Sequence, residues 1–220
     1  MIKYVLFDLD GTLLSTLDTI TYHLNGALSE SGLTTINVED TRAFIGNGAR
    51  KLVERAVNMS GITDPDVTQD VLSRYNKAYD TDPIPKTEAY PGICELVDTL
   101  YSKGFKLAVV TNKPDDTAKK LVTHFFKNRF AIVSGGRVGT VLKPDPAEAI
   151  SVLKDMGGDL SECAFVGDTS VDIFTGKNMG AALSIGVSWG FRSRDELVLA
   201  GADYIVDSAD ELLEILGGKL

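Results

Sequence analysis

The chain has 220 residues, 44% hydrophobic and 24% charged, a globular composition long enough for one sizeable core plus an insertion and unlike that of disordered or fibrous proteins. Lys and Arg number 22 against 31 Asp and Glu, a net charge of −9 that argues against a nucleic-acid or anionic-membrane surface, because binding to phosphate backbones takes clustered cations. No apolar run approaches the roughly 18 residues of a membrane span, Asp8 comes too early for a secretory segment, and Cys94 and Cys163 make neither a disulfide framework nor a metal site, so a cytoplasmic location is expected.

In chain order, residues 3–7 (KYVLF) form a short apolar run that meets an acidic turn, the pattern of a buried strand. Residues 16–82 then show only helical spacing: Leu17, Ile20, Leu24 and Leu28 share a face, as do Leu52, Val53, Ala56 and Val57, and then Val67, Val71, Leu72 and Tyr75. This predicts an insertion of about four helices, with hinges at Ser15–Leu17 and in the proline-bearing stretch 82–91. Beyond it, apolar runs at 106–110, 130–134, 163–166, 181–185 and, more weakly, 203–206 predict five further strands. Helical patterns separate most of them: 93–100 stopped by Gly104, 118–125, 149–153 (including Ile150) stopped by Gly157-Gly158, and 173–179 before Gly180. A last pattern covers Leu212, Leu213 and Leu216. Strands alternating with helices imply an α/β fold, a Rossmann-like parallel sheet covered by helices, formed by residues 1–15 and 83–220 with a helical cap at 16–82.

Ligands of open parallel sheets bind at the carboxyl ends of the strands. Those ends carry Asp8-Leu9-Asp10-Gly11-Thr12, Thr111-Asn112-Lys113-Pro114 and Gly167-Asp168-Thr169-Ser170-Val171-Asp172, with Lys143-Pro144 on the approach to a helix, so all four would converge on one crevice. Asp8 and Asp10, two apart on an extended segment, face the same way. Neighbouring carboxylates repel, which raises a pKa or calls for a cation, and with Asp168 they would form an all-oxygen site suited to magnesium. A plain acidic turn is the alternative, but D-x-D-G-T recurs by chance only about once in 10⁵ windows. Thr111 and Asn112 offer a hydroxyl and an amide to anionic oxygens, although Thr-Asn-x-Pro is also an ordinary turn. Lys143 is a point charge able to hold phosphate, and a lone Lys-Pro would be solvated loop. Asp168 and Asp172 open a helix, where one of them could simply cap it. Arg50, after Gly46-Asn47-Gly48, is the best candidate in the insertion for an anion contact. Trp189 suggests packing under a loop, and neither His23 nor His124 has a partner at catalytic spacing.

These blocks, in this order, resemble the haloacid dehalogenase superfamily of phosphotransferases, and Ile45-Gly46-Asn47-Gly48, Tyr90-Pro91-Gly92, Gly135-Gly136 and Trp189-Gly190 resemble its phosphoglycolate phosphatase-like branch. The resemblance implies a phosphatase. Asp8 would be the nucleophile that forms an aspartyl-phosphate, and Asp10 the acid and base. Mg²⁺ would be held by Asp8, the Asp10 main-chain carbonyl and Asp168; Thr111, Asn112 and Lys143 would hold the phosphoryl oxygens, and Asp172 would orient Lys143 or a metal-bound water. The insertion would be a mobile cap. Ser15 and Arg137 depart from the branch, which often has acidic residues there. Asp10 favours phosphoryl transfer over carbon–halogen cleavage, and Thr12 leans towards hydrolysis over a phosphomutase. The expected partner is a small anionic phosphorylated metabolite, phosphoglycolate first, on a monomer or homodimer. Pyrophosphate, nucleotide or sugar-phosphate hydrolysis, a phosphomutase and a non-catalytic phosphate-binding regulator are the alternatives.

Overall fold

The structure, a computed structural model, describes residues 1–217. The chain runs β1 (Tyr4–Phe7), β2 (Leu14–Ser15), α1 (Leu17–Glu30), α2 (Val38–Phe44), α3 (Ala49–Met59), α4 (Pro65–Thr81), β3 (Glu88–Ala89), α5 (Ile93–Ser102), β4 (Lys106–Pro114), α6 (Asp115–Phe126), β5 (Ile132–Gly136), α7 (Ala147–Asp155), β6 (Cys163–Gly167), α8 (Ser170–Met179), β7 (Leu183–Val187), α9 (Arg194–Leu199), β8 (Tyr204–Val206) and α10 (Ala209–Leu216). Six strands form one parallel sheet in the order β5-β4-β1-β6-β7-β8, the expected α/β fold. From the central β1 the chain fills one side of the sheet and then returns to fill the other, so the strand order reverses beside β1.

Period-two alternation sends successive side chains to opposite faces. Val5, Phe7, Leu107, Val109, Ala164 and Val166 pack on one face against residues of α5, α6 and α10. Leu6, Ala108, Val110 and Phe165 pack on the other against α7 and Met179 of α8. The six expected strands are present. β4 runs on to Pro114, because the polar residues after Val110 keep the alternation, with Thr111 and Lys113 buried. Ile150 leaves the expected core: it is 41% exposed on the outer side of α7. α9 has a single buried residue, Leu197, and so leaves no periodic trace in the sequence.

The stretch 17–81 is helical as expected, and its four helices enclose a cluster of their own around Leu24, Leu28, Val53, Val57 and Val71. Its local stops are chemical: Asn37 and Asp40 form a capping box at α2, and Asp64 with Pro65 opens α4. On either side of it β2 and β3 pair antiparallel, Leu14 with Ala89 and Ser15 with Glu88. Two-residue strands carry no alternation, so this ribbon is invisible in the sequence. No helix among the described residues is long and apolar enough to cross a membrane.

Leu6, fully buried between β4 and β6, tests the sheet core. Leu6→Ala should lower the unfolding free energy by about 2–5 kcal/mol in urea titration, whereas Ile150→Ala should change it by less than about 0.5 kcal/mol.

Candidate active site

The carboxyl ends of β1 and β6 bring three acids together. Asp8, Asp168 and Asp172 each offer an oxygen, all within 4.8 Å of one another and all buried. Asp168 sits where two glycine backbones leave room: a Cβ on Gly11, whose φ is +87°, would lie 2.3 Å from its Oδ2, and one on Gly190 would lie 2.2 Å from its Cβ. Its carboxylate accepts from Thr12 Oγ1 at 3.1 Å and from the Phe191 amide at 2.8 Å. Asp172 opens α8 in a capping box, accepting with Oδ2 from the Thr169 amide at 3.0 Å and hydroxyl at 2.8 Å. Its Oδ1 accepts from Lys143 Nζ at 2.7 Å.

Lys143 Nζ also stands 2.9 Å from Asp8 Oδ1. That contact is an ion pair without hydrogen-bond alignment, so Asp8 Oδ1 is a buried acceptor lacking a donor. Burial raises the Asp8 carboxyl, Lys143 pulls it down, Asp172 and Asp10 push it up again, and the balance lies at about 6. Burial, then Asp172 and Asp8, hold Asp168 well above the ordinary carboxylate range. For Lys143 burial acts downward, but Asp172 and Asp8 outweigh it and keep the ammonium above its ordinary value. One ammonium thus answers three carboxylates, and the centre is short of positive charge.

Asp10 stands apart from these three. Its carboxylate accepts from Lys113 Nζ at 3.0 and 3.2 Å, and Lys113 also donates to the Tyr79 hydroxyl of α4 at 2.9 Å. The sequence marks Lys113 only as part of a turn; the available signal was its place two residues beyond Thr111 on the same face of β4. Any share of Asp10 in a metal site is therefore left to its main chain, as the resemblance implies. Thr111 is buried on the cleft wall, its hydroxyl accepting from the Lys113 amide at 3.3 Å.

Two expected substrate contacts are not offered in this arrangement. Both amide protons of Asn112 are used: Nδ2 donates to Gly46 O at 3.2 Å and Lys143 O at 3.1 Å, and Oδ1 accepts from the Lys143 amide at 2.8 Å. It ties the 46–48 turn and the Lys143 loop to β4 rather than reaching for an anion. Arg50 is exposed on α3 and donates to Gln69 of α4 at 2.5 Å. Its helix face looks along α4, and from this segment Gly46, Gly48 and Ala49 line the cleft in its place. Arg137 pairs with Glu148 at 2.7 Å away from the centre. The Trp189 indole donates to Thr12 O at 3.0 Å, a packing role. Over the carboxylates, Ile20, Leu52, Tyr75 and Tyr79 of the inserted helices form an apolar roof.

A doubly wound parallel sheet with buried acids and a lysine at its strand ends, roofed by helices, defines an α/β enzyme whose centre is built to meet anions and cations together. The chain belongs to the haloacid dehalogenase-like hydrolases, whose family model matches residues 5–185. It is 30% identical to a phosphoglycolate phosphatase of Vibrio parahaemolyticus over 98% of this chain and 96% of that protein. It is 33% identical to one of Rhodospirillum rubrum over 99% and 92%. The crystal structure of a predicted phosphoglycolate phosphatase from Haemophilus somnus superposes with a TM-score of 0.91 at 28% identity, covering 97% of each chain.

Lys143→Met leaves the acids without their ammonium and should lower the unfolding free energy of the metal-free protein by about 3–5 kcal/mol above neutral pH, read by urea titration. Removing the ammonium lifts the Asp8 carboxyl above its wild-type value of about 6 while the unfolded chain is unchanged, so the penalty should be full only above the variant's raised value and shrink as the pH falls towards 6. A deficit that grows on acidification would contradict this account of the site.

Proposed function

We propose that this chain is a magnesium-dependent phosphatase of small phosphomonoesters that works through an aspartyl-phosphate, with phosphoglycolate as the leading substrate. The family is one of hydrolases, and the relatives above, phosphoglycolate phosphatases, support the class of phosphoric monoester hydrolase. The observation that carries the mechanism is the buried Asp8 carboxylate beside Lys143, at the mouth of a cleft roofed by the inserted helices.

In this reading an Asp8 oxygen attacks phosphorus in line with the ester oxygen; the new O–P bond forms as the P–O bond to the alcohol breaks. Asp10 gives its proton to the departing alkoxide. It then takes one from a water that attacks the aspartyl-phosphate, releasing phosphate and restoring Asp8. Lys143 and the Thr111 hydroxyl hold the phosphoryl oxygens, and Asp172 fixes Lys143 through their 2.7 Å bond. Residues 16–82 would act as a cap over a core of residues 1–15 and 83–220, keeping bulk water from the acyl phosphate.

The residues fit a hard divalent cation: the donors are all oxygen, Asp8 Oδ1 lacks a hydrogen-bond donor, and the local charge is negative. Asp8, Asp168 and the Asp10 main-chain oxygen would hold magnesium, which supplies the positive charge that lets an anionic nucleophile meet an anionic substrate. Asp172, with both oxygens already engaged, fits a supporting role.

Phosphate release from phosphoglycolate, pyrophosphate, nucleotides and sugar phosphates should depend on magnesium and rank phosphoglycolate first. Asp8→Asn should lower it by at least about 10³-fold, the scale of losing a nucleophile. A folded wild type releasing phosphate from none of them would sink the phosphatase reading. Independently of turnover, magnesium at about 100 times its dissociation constant should raise the unfolding free energy by about 2.7 kcal/mol, seen as a higher Tm, and Asp168→Asn should abolish most of that gain.

A further inference from the structure

Lys113 is unusual in its surroundings. Its side chain is only 4% exposed, near the end of β4 and beyond the apolar stretch Leu107–Val110. A buried ammonium is costly unless it is paired, and this one lies within hydrogen-bond reach of both oxygens of Asp10, at 3.0 and 3.2 Å, and of the Tyr79 hydroxyl, at 2.9 Å. The ammonium also lies 4.2 Å from the centre of the Tyr79 ring.

Tyr79 is itself a fixed point. It is buried, its ring packs edge-on against His23 at 5.2 Å, and the next residue is fastened to α6 twice. The Thr117 hydroxyl donates to the Asp80 carboxylate, and Lys120 Nζ donates to the Asp80 carbonyl at 2.8 Å. The path from α6 through α4 to Asp10 is thus a chain of short contacts ending on both oxygens of one carboxylate.

We infer that Lys113 is a positioning residue for Asp10, set in place by Tyr79: it holds the plane of the carboxyl group so that one oxygen stays aimed at the ester oxygen of the substrate. A group that must pass a proton to a departing oxygen loses rate steeply when it can turn away. This inference rests on the phosphatase reading and on Asp10 as the proton donor. The proton moves from the Asp10 carboxyl to the alkoxide as the P–O bond breaks, and Lys113 keeps its own protons throughout.

The leaving group provides the test. Departing p-nitrophenolate needs no proton, whereas a departing alkoxide does, and kcat/KM reports the reaction up to the step in which the alcohol leaves. With magnesium, Lys113→Met should lower kcat/KM for an alkyl phosphate by about 10²-fold and for p-nitrophenyl phosphate by less than about 10-fold. Lys113→Arg should recover part of the alkyl activity. Tyr79→Phe, which keeps the ring and removes the hydroxyl, should show the same preference with a smaller loss. Equal losses on the two esters, or no loss, would overturn the inference while leaving the phosphatase reading intact; a wild type inactive on both would overturn the reading itself. Should Lys113→Met fail to fold, as judged by circular dichroism, Tyr79→Phe decides alone: a loss confined to the alkyl ester supports the inference, and any other result overturns it.

Discussion

Everything at the strand ends is arranged around one buried ammonium. Asp8, Asp168 and Asp172 lie buried within 4.8 Å of one another, an arrangement that repulsion would open without Lys143 between two of them. The surrounding polar contacts keep that arrangement in register. The Thr169 capping box holds Asp172 at the head of α8, and the Asn112 side chain grips the main chain of Lys143 from both sides. Glycines at 11 and 190 allow the backbone to close on Asp168. The centre is unbalanced, since one ammonium answers three carboxyl groups, and an anionic ligand enters such a place only in company with further positive charge.

Much of the fold was legible because its signals are local. Six apolar runs, each ending in polar residues, sufficed for the strands, and glycines such as Gly180, in the left-handed conformation at the end of α8, marked helix ends. The helical nature of 17–81 was equally plain, since three stripes at helical spacing leave no room for a strand. α9 and the β2–β3 ribbon were not legible. Each is too short for a periodic pattern, and both exist because of what they pack against.

The site divides along a different line. Asp8, Asp168 and Asp172 were readable because they follow strands or open a helix, where the sheet topology forces convergence, and Lys143 because it lies on the approach to one. The partners of a long or amide side chain are not a property of its sequence neighbourhood. Asn112 meets Gly46 across 66 positions, and Lys113 meets Tyr79 across 34, so the first reads as a ligand contact and the second as a turn until the helices are folded over the sheet. Arg50 shows the converse. The right turn was chosen, but helix rotation carried its guanidinium onto Gln69.

The β2–β3 ribbon has a consequence for how this molecule can change over generations. Pairing Ser15 with Glu88 puts the exit and re-entry of the inserted helices on neighbouring strands, about 5 Å apart in an antiparallel pair. Topologically, residues 16–87 are a single long excursion from one spot on the sheet, with a hydrophobic cluster of their own. Such an excursion can be lengthened, shortened or exchanged without rerouting any sheet strand, and Asp8, Asp168 and Asp172 stay at the sheet's strand ends. Variation can therefore rework the roof of the cleft while the carboxylates beneath it keep their places.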